Sequence, residues 1–244
     1  AAVAKDPVLE RRVGSSWSAI ERAVARQAAL LSESNLLDTR NSTLLGHALT
    51  LVRLPHELQK PSDQRLPEYS DGSLKATRAR ILNPRPIEKD LDRVRLEAGL
   101  REALEILGPK HPFLQVILGG QSPEAVARQA VEGTRLHELD ARKALLEGGA
   151  QALAASTDPM IALARRLEPF NRRIRQRVER EVTSVFNEHG GRIAEARFKI
   201  QGKTQYPDAT FTLRLSYGPV ATYPTGSGTK AQPFTTFLGL YDRH

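Results

Sequence analysis

Apolar residues recur at helical spacing along most of the chain. Between residues 6 and 52 a stripe repeats at intervals of three and four, formed by Trp17, Ile20, Val24, Ala28 and Leu31. Such spacing is typical of an amphipathic helix. Two later stripes predict further long helices: Leu91, Val94, Leu100, Leu104 and Leu107 form the first, and Ile174, Val178, Val182, Val185 and Phe186 form the second.

Helix start and stop signals agree with these stripes. Asp6-Pro7, Ser122-Pro123 and Asp158-Pro159 each combine a capping residue with a proline suited to the first helical turn. The glycine pairs at 119–120, 148–149 and 190–191, together with Gly108-Pro109, predict helix ends, with resumption of the last helix through "RIAEARF" as the open alternative. A helix is also expected from about residue 138 to 146. Three prolines between Leu54 and Tyr69 predict a connector or short helix starts separated by turns. We therefore expect an irregular multi-helix domain over about 195 residues.

The period changes near the end of the chain. Residues 209–217 alternate apolar and polar side chains, which predicts a strand, and residues 220–223 predict a second one. The stretch "PTGSGTK" is expected to form a hairpin loop, and "PFTTFLGLYDRH" is interpreted as a third strand. Two or three strands without a partner sheet are marginal alone and leave open edges. The predicted fold is mainly α with a short antiparallel β segment, and the chain is interpreted as a fragment of a longer protein.

Composition narrows the function classes. A net charge of +8 raises the question of nucleic-acid binding, but the 36 basic residues are interleaved with 28 acidic ones and only 5% of residues are aromatic. We therefore do not expect nucleic acid as a partner. The sequence contains no run of 18 or more apolar residues, so no membrane span is predicted. The absence of cysteine excludes disulfides, thiolate zinc sites and a cysteine nucleophile.

The histidines and serines form no recognisable catalytic or metal-binding pattern. None of the six histidines lies three to five residues from another, so no helical metal pair is predicted. His137 near Asp140 and His56 beside Glu57 are candidates for a site, although solvated surface histidines are the preferred interpretation. The stretch "TGSGT" lacks the strand-then-helix context of a nucleophile elbow.

Two other motifs also have a structural explanation. "LGGQSPEAV" resembles a phosphate-binding loop only superficially, because it lacks Walker spacing, so helix termination is preferred. An arginine-rich stretch is expected to be a solvated face or an interdomain salt-bridge surface; it comprises Arg172, Arg173, Arg175, Arg177 and Arg180. From the residues alone, no catalytic, cofactor-binding or metal-binding residue is assigned, and no cofactor is expected.

Five segments carry a resemblance to a known family. They are "KPSDQRLPEY" (60–69), "GGQSPEAVARQAVEGT" (119–134), "ARKALLEGG" (141–149), "ASTDPMIALAR" (155–165) and "ARFKIQGKTQYPDATFTLRLSYG" (196–218). The chain resembles the bacterial dipeptidyl-peptidase 7/11 family of serine exopeptidases, in which similar segments occur in the same order. The last two segments are the most specific, and the resemblance covers most of the chain.

The resemblance implies a chymotrypsin-type double β-barrel with an inserted helical domain that caps the cleft. Residues 1–197 would then be the cap, and residues 198–244 would be the first strands of the C-terminal catalytic barrel. The resemblance also implies a His-Asp-Ser triad, but the family's His and Asp precede the cap, and no Gly-Asn-Ser-Gly motif occurs in residues 1–244. Hence no catalytic residue is assigned to this chain, and the isolated chain is expected to be inactive.

The same resemblance implies the partners and the compartment. Peptides with free N-termini are the expected substrates of the parent protein, the remainder of the barrel is an expected partner, and a homodimer is suggested. The compartment implied is the periplasm or cell surface of a Gram-negative-type bacterium. Two alternatives stay open: an independent helical binding or scaffold protein with a basic surface, and a catalytically inactive homologue.

Overall fold

The computed structural model describes residues 6–37, 42–202, 215, 217–226 and 228–241. The chain divides into two compact units, Ala1–Ile200 and Gln201–His244. The first unit is helical, and the second contains a short two-stranded antiparallel sheet. The prediction of a mainly α protein followed by a short antiparallel β segment is therefore confirmed. None of the described helices combines the length and the apolar character that a membrane crossing requires.

The helices are distributed over the whole first unit. Their bounds are α1 Pro7–Val13, α2 Ser16–Leu37, α3 Thr43–Leu58, α4 Asp71–Ile81, α5 Lys89–Leu107, α6 Pro112–Leu118, α7 Pro123–Gly133, α8 Leu139–Ala155, α9 Pro159–Val178 and α10 Ser184–Gln201. Two 3-10 turns, Ser62–Gln64 and Pro67–Tyr69, form the proline-rich connector, as predicted. A π-helical turn, Glu179–Thr183, joins α9 to α10.

Helices α3 and α9 form the centre of the core. Leu44 and Leu51 of α3 and Met160 and Ile161 of α9 are almost completely buried. Helix α9 also contacts α2, α6 and α7, while α5 packs on α7. Full burial of one such side chain stabilises a fold by about 1.5–3 kcal/mol. The α3–α9 contact therefore positions the other helices around it.

The predicted N-caps are confirmed. The carboxylate of Asp158 accepts hydrogen bonds from the backbone N–H groups of Met160 and Ile161, at 2.9 and 3.3 Å. The hydroxyl of Ser122 accepts from Ala125 N at 3.1 Å. Each side chain satisfies amide groups that have no partner within the first helical turn. Asp6 caps α1 in the same way.

The apolar stripe predicted for α2 does not face the core. Trp17, Val24 and Leu31 are 62%, 51% and 52% exposed. The buried positions of α2 are Ser16, Ala19, Ala23 and Leu30, which lie roughly 100° around the helix from the stripe at 3.6 residues per turn. Small side chains on that second face allow α2 to pack closely on its neighbours α9 and α5. We call the exposed stripe of Trp17, Ile20, Val24, Ala28 and Leu31 the α2 stripe.

The stripe predicted for α5 is only partly correct. Leu100 is buried and Leu104 and Leu107 pack against the core, but Leu91 and Val94 are about half exposed, at 50% and 52%. The residues that replace them in the interior are Asp92, Leu96 and Ala103. The carboxylate of Asp92 accepts hydrogen bonds from the first turn of α3, and this contact fixes which face of α5 turns inwards.

The glycine pairs differ in what they do. Gly119 ends α6 in the left-handed conformation, with φ of 55°, as predicted. At Gly149, with φ of 56°, α8 is kinked and then continues to Ala155, so the predicted end at 148–149 is a kink. Gly190 and Gly191 lie inside α10, and the predicted helix end there is wrong. Glycine permits a helix end but does not require one, because its backbone can also adopt the helical conformation and make the helical hydrogen bonds.

Helices α9 and α10 form one helical run through the π-helical turn. Helix α9 begins at Pro159 and continues past Pro169. Helix α3 likewise passes Pro55, the first proline of the predicted connector, and ends at Leu58. In both helices tertiary packing outweighs the hydrogen bond that an internal proline removes.

The second unit contains a hairpin and one short helix. Strands β1 Tyr223–Pro224 and β2 Lys230–Ala231 pair antiparallel, so the loop expected at "PTGSGTK" joins two strands. Residues 220–222 are not in a strand. The predicted third strand is wrong: Phe237–Tyr241 is a helix, α11, whose first turn is capped by Thr236 Oγ1 accepting from Gly239 N at 3.1 Å. Most of the strand predicted for residues 209–217 lies outside the described residues.

Candidate functional site

Arginines of α9 meet a buried carboxylate of α3 and a partly buried carboxylate of the connector in one cluster. We call it the Glu57 cluster; its members are Arg53, Glu57, Glu68, Glu168, Arg172 and Arg175. Arg172 Nη1 donates to Glu57 Oε1 at 2.8 Å, and its Nη2 pairs with Glu168 Oε1 at 2.8 Å. Arg53 Nε donates to the other oxygen of Glu168. The cluster thus joins α3 to α9 through charged groups beside their apolar contact.

Glu57 is the most buried carboxylate of the cluster. Glu57 is 0% exposed. In addition to the hydrogen bond from Arg172, its carboxylate accepts hydrogen bonds from Lys60 Nζ at 2.7 Å and from Leu66 N at 2.9 Å. Burial alone would raise the pKa of this carboxyl, but the bonds from Lys60, Leu66 and Arg172 outweigh it and lower the pKa to about 2. Glu57 is therefore ionised at neutral pH and serves as an acceptor rather than a base.

The connector is held by the second half of the cluster. Arg175 donates two parallel hydrogen bonds to Glu68, at 2.7 and 3.0 Å, a geometry that matches a guanidinium to a carboxylate. The ring of the neighbouring Tyr69 is buried, and its hydroxyl donates to the carbonyl of Thr50 at 3.2 Å. Burial raises the pKa of Tyr69. These contacts fix residues 60–69 against α3 and α9.

The cluster contains no nucleophile. Within the described residues, no serine hydroxyl or histidine ring bonds to the carboxylates of Glu57, Glu68 or Glu168. A general base needs a free lone pair near the proton that it removes. The cluster is therefore suited to holding the helices together, not to acid–base chemistry.

The arginine-rich stretch is explained by ion pairs inside the helical unit. Arg177 pairs with Glu33 and Glu181, and Arg180 pairs with Glu181 at 3.0 Å. Arg173 lies 4.7 Å from the ring centre of Phe170, a cation–π contact. Every one of these partners belongs to the first unit. Within the described residues the stretch is a salt-bridge surface of the helical unit, and its contact with another domain stays a prediction.

The candidate histidines do not form a site. His137 contacts Glu138 at 3.8 Å, and no bond joins its ring to Asp140. His56 is exposed, whereas its neighbour Glu57 is buried and directed to Arg172. His111 caps α6 through Nδ1, and His189 Nδ1 lies 3.1 Å from Ser16 Oγ. In the described part of the chain, no group of three or more His, Asp or Glu residues is arranged to hold a metal ion.

The two loop motifs have structural roles. "LGGQSPEAV" ends α6 at Gly119 and starts α7 at the Ser122 cap. "TGSGT" connects β1 to β2, and Thr225 N donates to Thr229 O at 2.8 Å. The strand-turn-helix arrangement of a nucleophile elbow does not occur at this loop.

A separate pocket lies beside the first turn of α3, between α4 and α5. It has a volume of about 350 Å³, and its lining includes three arginines, Arg80, Arg85 and Arg95, together with His47. We call it the arginine pocket. Asp92 lies at its edge and accepts from Ser42 Oγ at 2.7 Å, Thr43 N at 2.6 Å and Leu44 N at 3.3 Å. This carboxylate therefore caps α3 from another helix.

Sequence reasoning missed both the Glu57 cluster and the arginine pocket. Glu57 was considered only as the neighbour of His56, and Asp92 was not considered at all. Their partners lie 115 and 50 residues away in sequence, and no local spacing rule reports such a distance. The one available signal was the position of Glu57, at the end of an apolar helix that also carries Leu51 and Leu54 on its buried face.

Comparisons with known proteins agree with the resemblance. The chain is similar to the Asp/Glu-specific dipeptidyl-peptidase of Shewanella putrefaciens (strain CN-32 / ATCC BAA-453), with 26% identity over 227 residues. That match covers 90% of this chain and 31% of the relative, so the chain spans about a third of the curated relative's length. The family model Peptidase S46 matches residues 1–244. The chain belongs to the peptidase S46 family, the dipeptidyl-peptidase 7/11 family that the sequence segments indicated.

Proposed function

We propose that this chain forms the helical cap of a serine dipeptidyl-peptidase and the start of its second β-barrel, while the catalytic triad lies elsewhere in a longer protein. The observation that carries the proposal is coverage: the family model matches the whole chain, yet the chain spans only 31% of a relative named as a dipeptidyl-peptidase. The parent protein would release dipeptides from free N-termini of peptides. Its compartment would be the periplasm or the cell surface.

The second unit supports this proposal through its exposed side chains. Tyr217, Phe234 and Phe237 are 92%, 72% and 85% exposed. Among the described residues of this unit the sheet has two strands of two residues each, and such a sheet is marginal without further strands. Aromatic side chains of this kind are normally buried in a completed fold. We infer that further strands of the barrel cover them in the parent protein.

The α2 stripe supports the proposal from the helical unit. It places Trp17, Val24 and Leu31 at intervals of seven residues on one exposed face. A continuous apolar stripe on a solvent face is typical of a contact surface. We infer that the remainder of the parent chain covers it, and a second copy of the protein is the other proposed partner.

The experiment compares two proteins, the 244-residue chain and a longer protein that contains it. Both are incubated with fluorogenic dipeptidyl amides that carry either an acidic or an apolar residue before the scissile bond. The longer protein should hydrolyse at least one of them, and N-terminal acetylation should abolish its hydrolysis. The 244-residue chain should hydrolyse none, since it supplies no assigned nucleophile.

Each result bears on a separate part of the proposal. Hydrolysis by the purified 244-residue chain would overturn the claim that the triad lies elsewhere. Failure of the longer protein to cleave any dipeptidyl amide with a free amino group would overturn the proposed peptidase activity. Equal cleavage of acetylated substrates would contradict the exopeptidase specificity.

A further inference from the structure

The arginine pocket differs from the other arginine-rich parts of the helical unit in its ion pairing. Arg172, Arg175 and Arg177 each contact a carboxylate. In contrast, the side chains of Arg80, Arg85 and Arg95 have no hydrogen bond or ion pair anywhere in the described chain, although all three line one pocket. Cations that converge on a concave surface raise its potential and attract anions.

The carboxylates at the pocket do not neutralise these arginines. Asp92 is 3% exposed, and its two oxygens already accept from three donors at the start of α3. Glu88 is the other acidic lining residue; it is exposed and makes no capping bond to α5. Three arginines therefore line the pocket together with one free carboxylate and one committed carboxylate. The pocket keeps an excess of positive charge.

A buried polar group points to a ligand independently of this charge. His47 is only 9% exposed and lines the pocket, yet its ring has no hydrogen-bond partner in the described residues. Burial lowers its pKa to about 4, and the nearby Arg142 of α8 and Arg80 of α4 act in the same direction, while Asp92 of α5 opposes them. The neutral imidazole therefore offers an N–H donor at the pocket that it lines.

The walls of the pocket select the kind of anion. Pro86, Ile87 and Leu91 contribute apolar surface beside the arginines, and Leu91 is 50% exposed. A volume of about 350 Å³ lies at the lower end of the range of small-molecule pockets. A bare inorganic ion would leave this apolar surface uncovered. An organic anion would cover it.

We propose that the arginine pocket binds a small organic anion, with its carboxylate or phosphate group between Arg80, Arg85 and Arg95 and its apolar body against Ile87 and Leu91. Guanidinium groups recognise both kinds of oxyanion through paired N–H donors. The N–H of His47 supplies a further donor from the interior. This site is independent of the peptidase proposal, because none of its residues is assigned a role in peptide cleavage.

The binding test uses three probes on the 244-residue chain: hexanoate, hexyl phosphate and inorganic phosphate. Titration calorimetry at neutral pH and low salt should show saturable binding of hexanoate or hexyl phosphate, with a Kd on the order of 0.1–1 mM. A stronger response to hexyl phosphate than to hexanoate would assign a phosphate ligand, and the reverse a carboxylate. Inorganic phosphate should bind at least about fivefold more weakly than hexyl phosphate, since it lacks an apolar body.

Two matched variants test the position of the ligand. Arg80→Gln and Arg78→Gln change two exposed arginines of α4, of which only Arg80 lines the pocket. The first should raise the Kd at least about fivefold and the second should leave it unchanged. Absence of saturable binding by either organic probe, or an equal loss in both variants, would overturn the proposal.

Proton NMR of the His47 ring gives a readout that a loss of folding would not imitate. Bound anion should raise the pKa of His47 above its value of about 4 in the free protein, because a nearby negative charge favours the imidazolium. The signals of exposed His56 should not change. An unchanged His47 titration at saturating ligand would place the anion elsewhere and refute the site.

Discussion

Replacement of Glu57 by glutamine tests whether the Glu57 cluster stabilises the helical unit. The variant Glu57→Gln keeps the size of the side chain but removes the charge that Arg172 and Lys60 contact. The pKa of Glu57 is lowered from 4.5 to about 2. At 1.36 kcal/mol for each pKa unit, the ionised form contributes on the order of 3 kcal/mol to stability at neutral pH.

The sign of the pH dependence follows from the lowered pKa. A carboxyl whose pKa is lower in the folded state stabilises the fold above the pKa of the unfolded state, near 4.5. That stability is lost as the pH falls through the folded pKa of about 2. The free energy of unfolding of the wild-type chain should therefore be larger than that of Glu57→Gln by about 3 kcal/mol at pH 7, and the difference should shrink between pH 5 and pH 2.

Urea unfolding followed by circular dichroism at pH 7, 4 and 3 measures this difference. The matched control is Glu124→Gln, which removes a pair with Arg128 whose side chains are 52% and 53% exposed; it should cost less than about 0.5 kcal/mol at every pH. If Glu57→Gln were as mild as Glu124→Gln, or if its cost stayed constant down to pH 3, the reasoning from burial and paired donors would be refuted.

Four further substitutions test other parts of the helical unit, each by its urea-unfolding midpoint. Gly190→Ala should stabilise the chain by about 0.5–1 kcal/mol, since Gly190 is helical and an added Cβ meets no atom within 4 Å, whereas Gly149→Ala should destabilise it by about 1–2 kcal/mol because of its φ of 56°; effects of the same sign would contradict this. Asp92→Asn should cost about 1–3 kcal/mol through the weakened cap of α3, and a neutral result would contradict that role. Val24→Glu should change the stability of the 244-residue chain by less than about 0.5 kcal/mol. It should lower the stability of the longer protein if the α2 stripe is a contact surface. A large loss of stability in the 244-residue chain would show that the stripe is internal.

Local signals in the sequence were sufficient for the helical class and for many helix starts. A cap such as Asp158-Pro159 acts through residues within one turn, so a single sequence reveals it. The family could also be recognised from the sequence, because its segments lie in order along the chain. Periodicity failed where the exposed side is apolar: Trp17 and Val24 mark the strongest stripe of α2, but small alanines pack inwards. A chain that covers part of its relative's length can keep such contact surfaces exposed.

The Glu57 cluster and the arginine pocket could not be predicted from the sequence, because their members lie far apart along the chain. Arg172 and Glu57 are joined across 115 residues, and each looks like an ordinary surface residue of an amphipathic helix. The environment of His47 depends on three separate helices that bring Arg80, Asp92 and Arg142 near one ring. Only the packing of α3 against its neighbours creates either environment. Charge patterning alone indicated solvated arginines and could not distinguish paired from unpaired ones.

The continuous run of α9, the π-helical turn and α10 has a consequence for hydrogen exchange. The amides of α9 lie in the core with Met160 and Leu163, whereas α10 buries only Ala196 in a small cluster with Leu9 and Val13 of α1. Local opening follows the packing of each segment rather than the continuity of its backbone. One uninterrupted helix should therefore contain two cooperative units, with slow exchange before the π-helical turn and fast exchange after it. The N-terminal helix α1, rather than the central core, would set the protection of residues near 196.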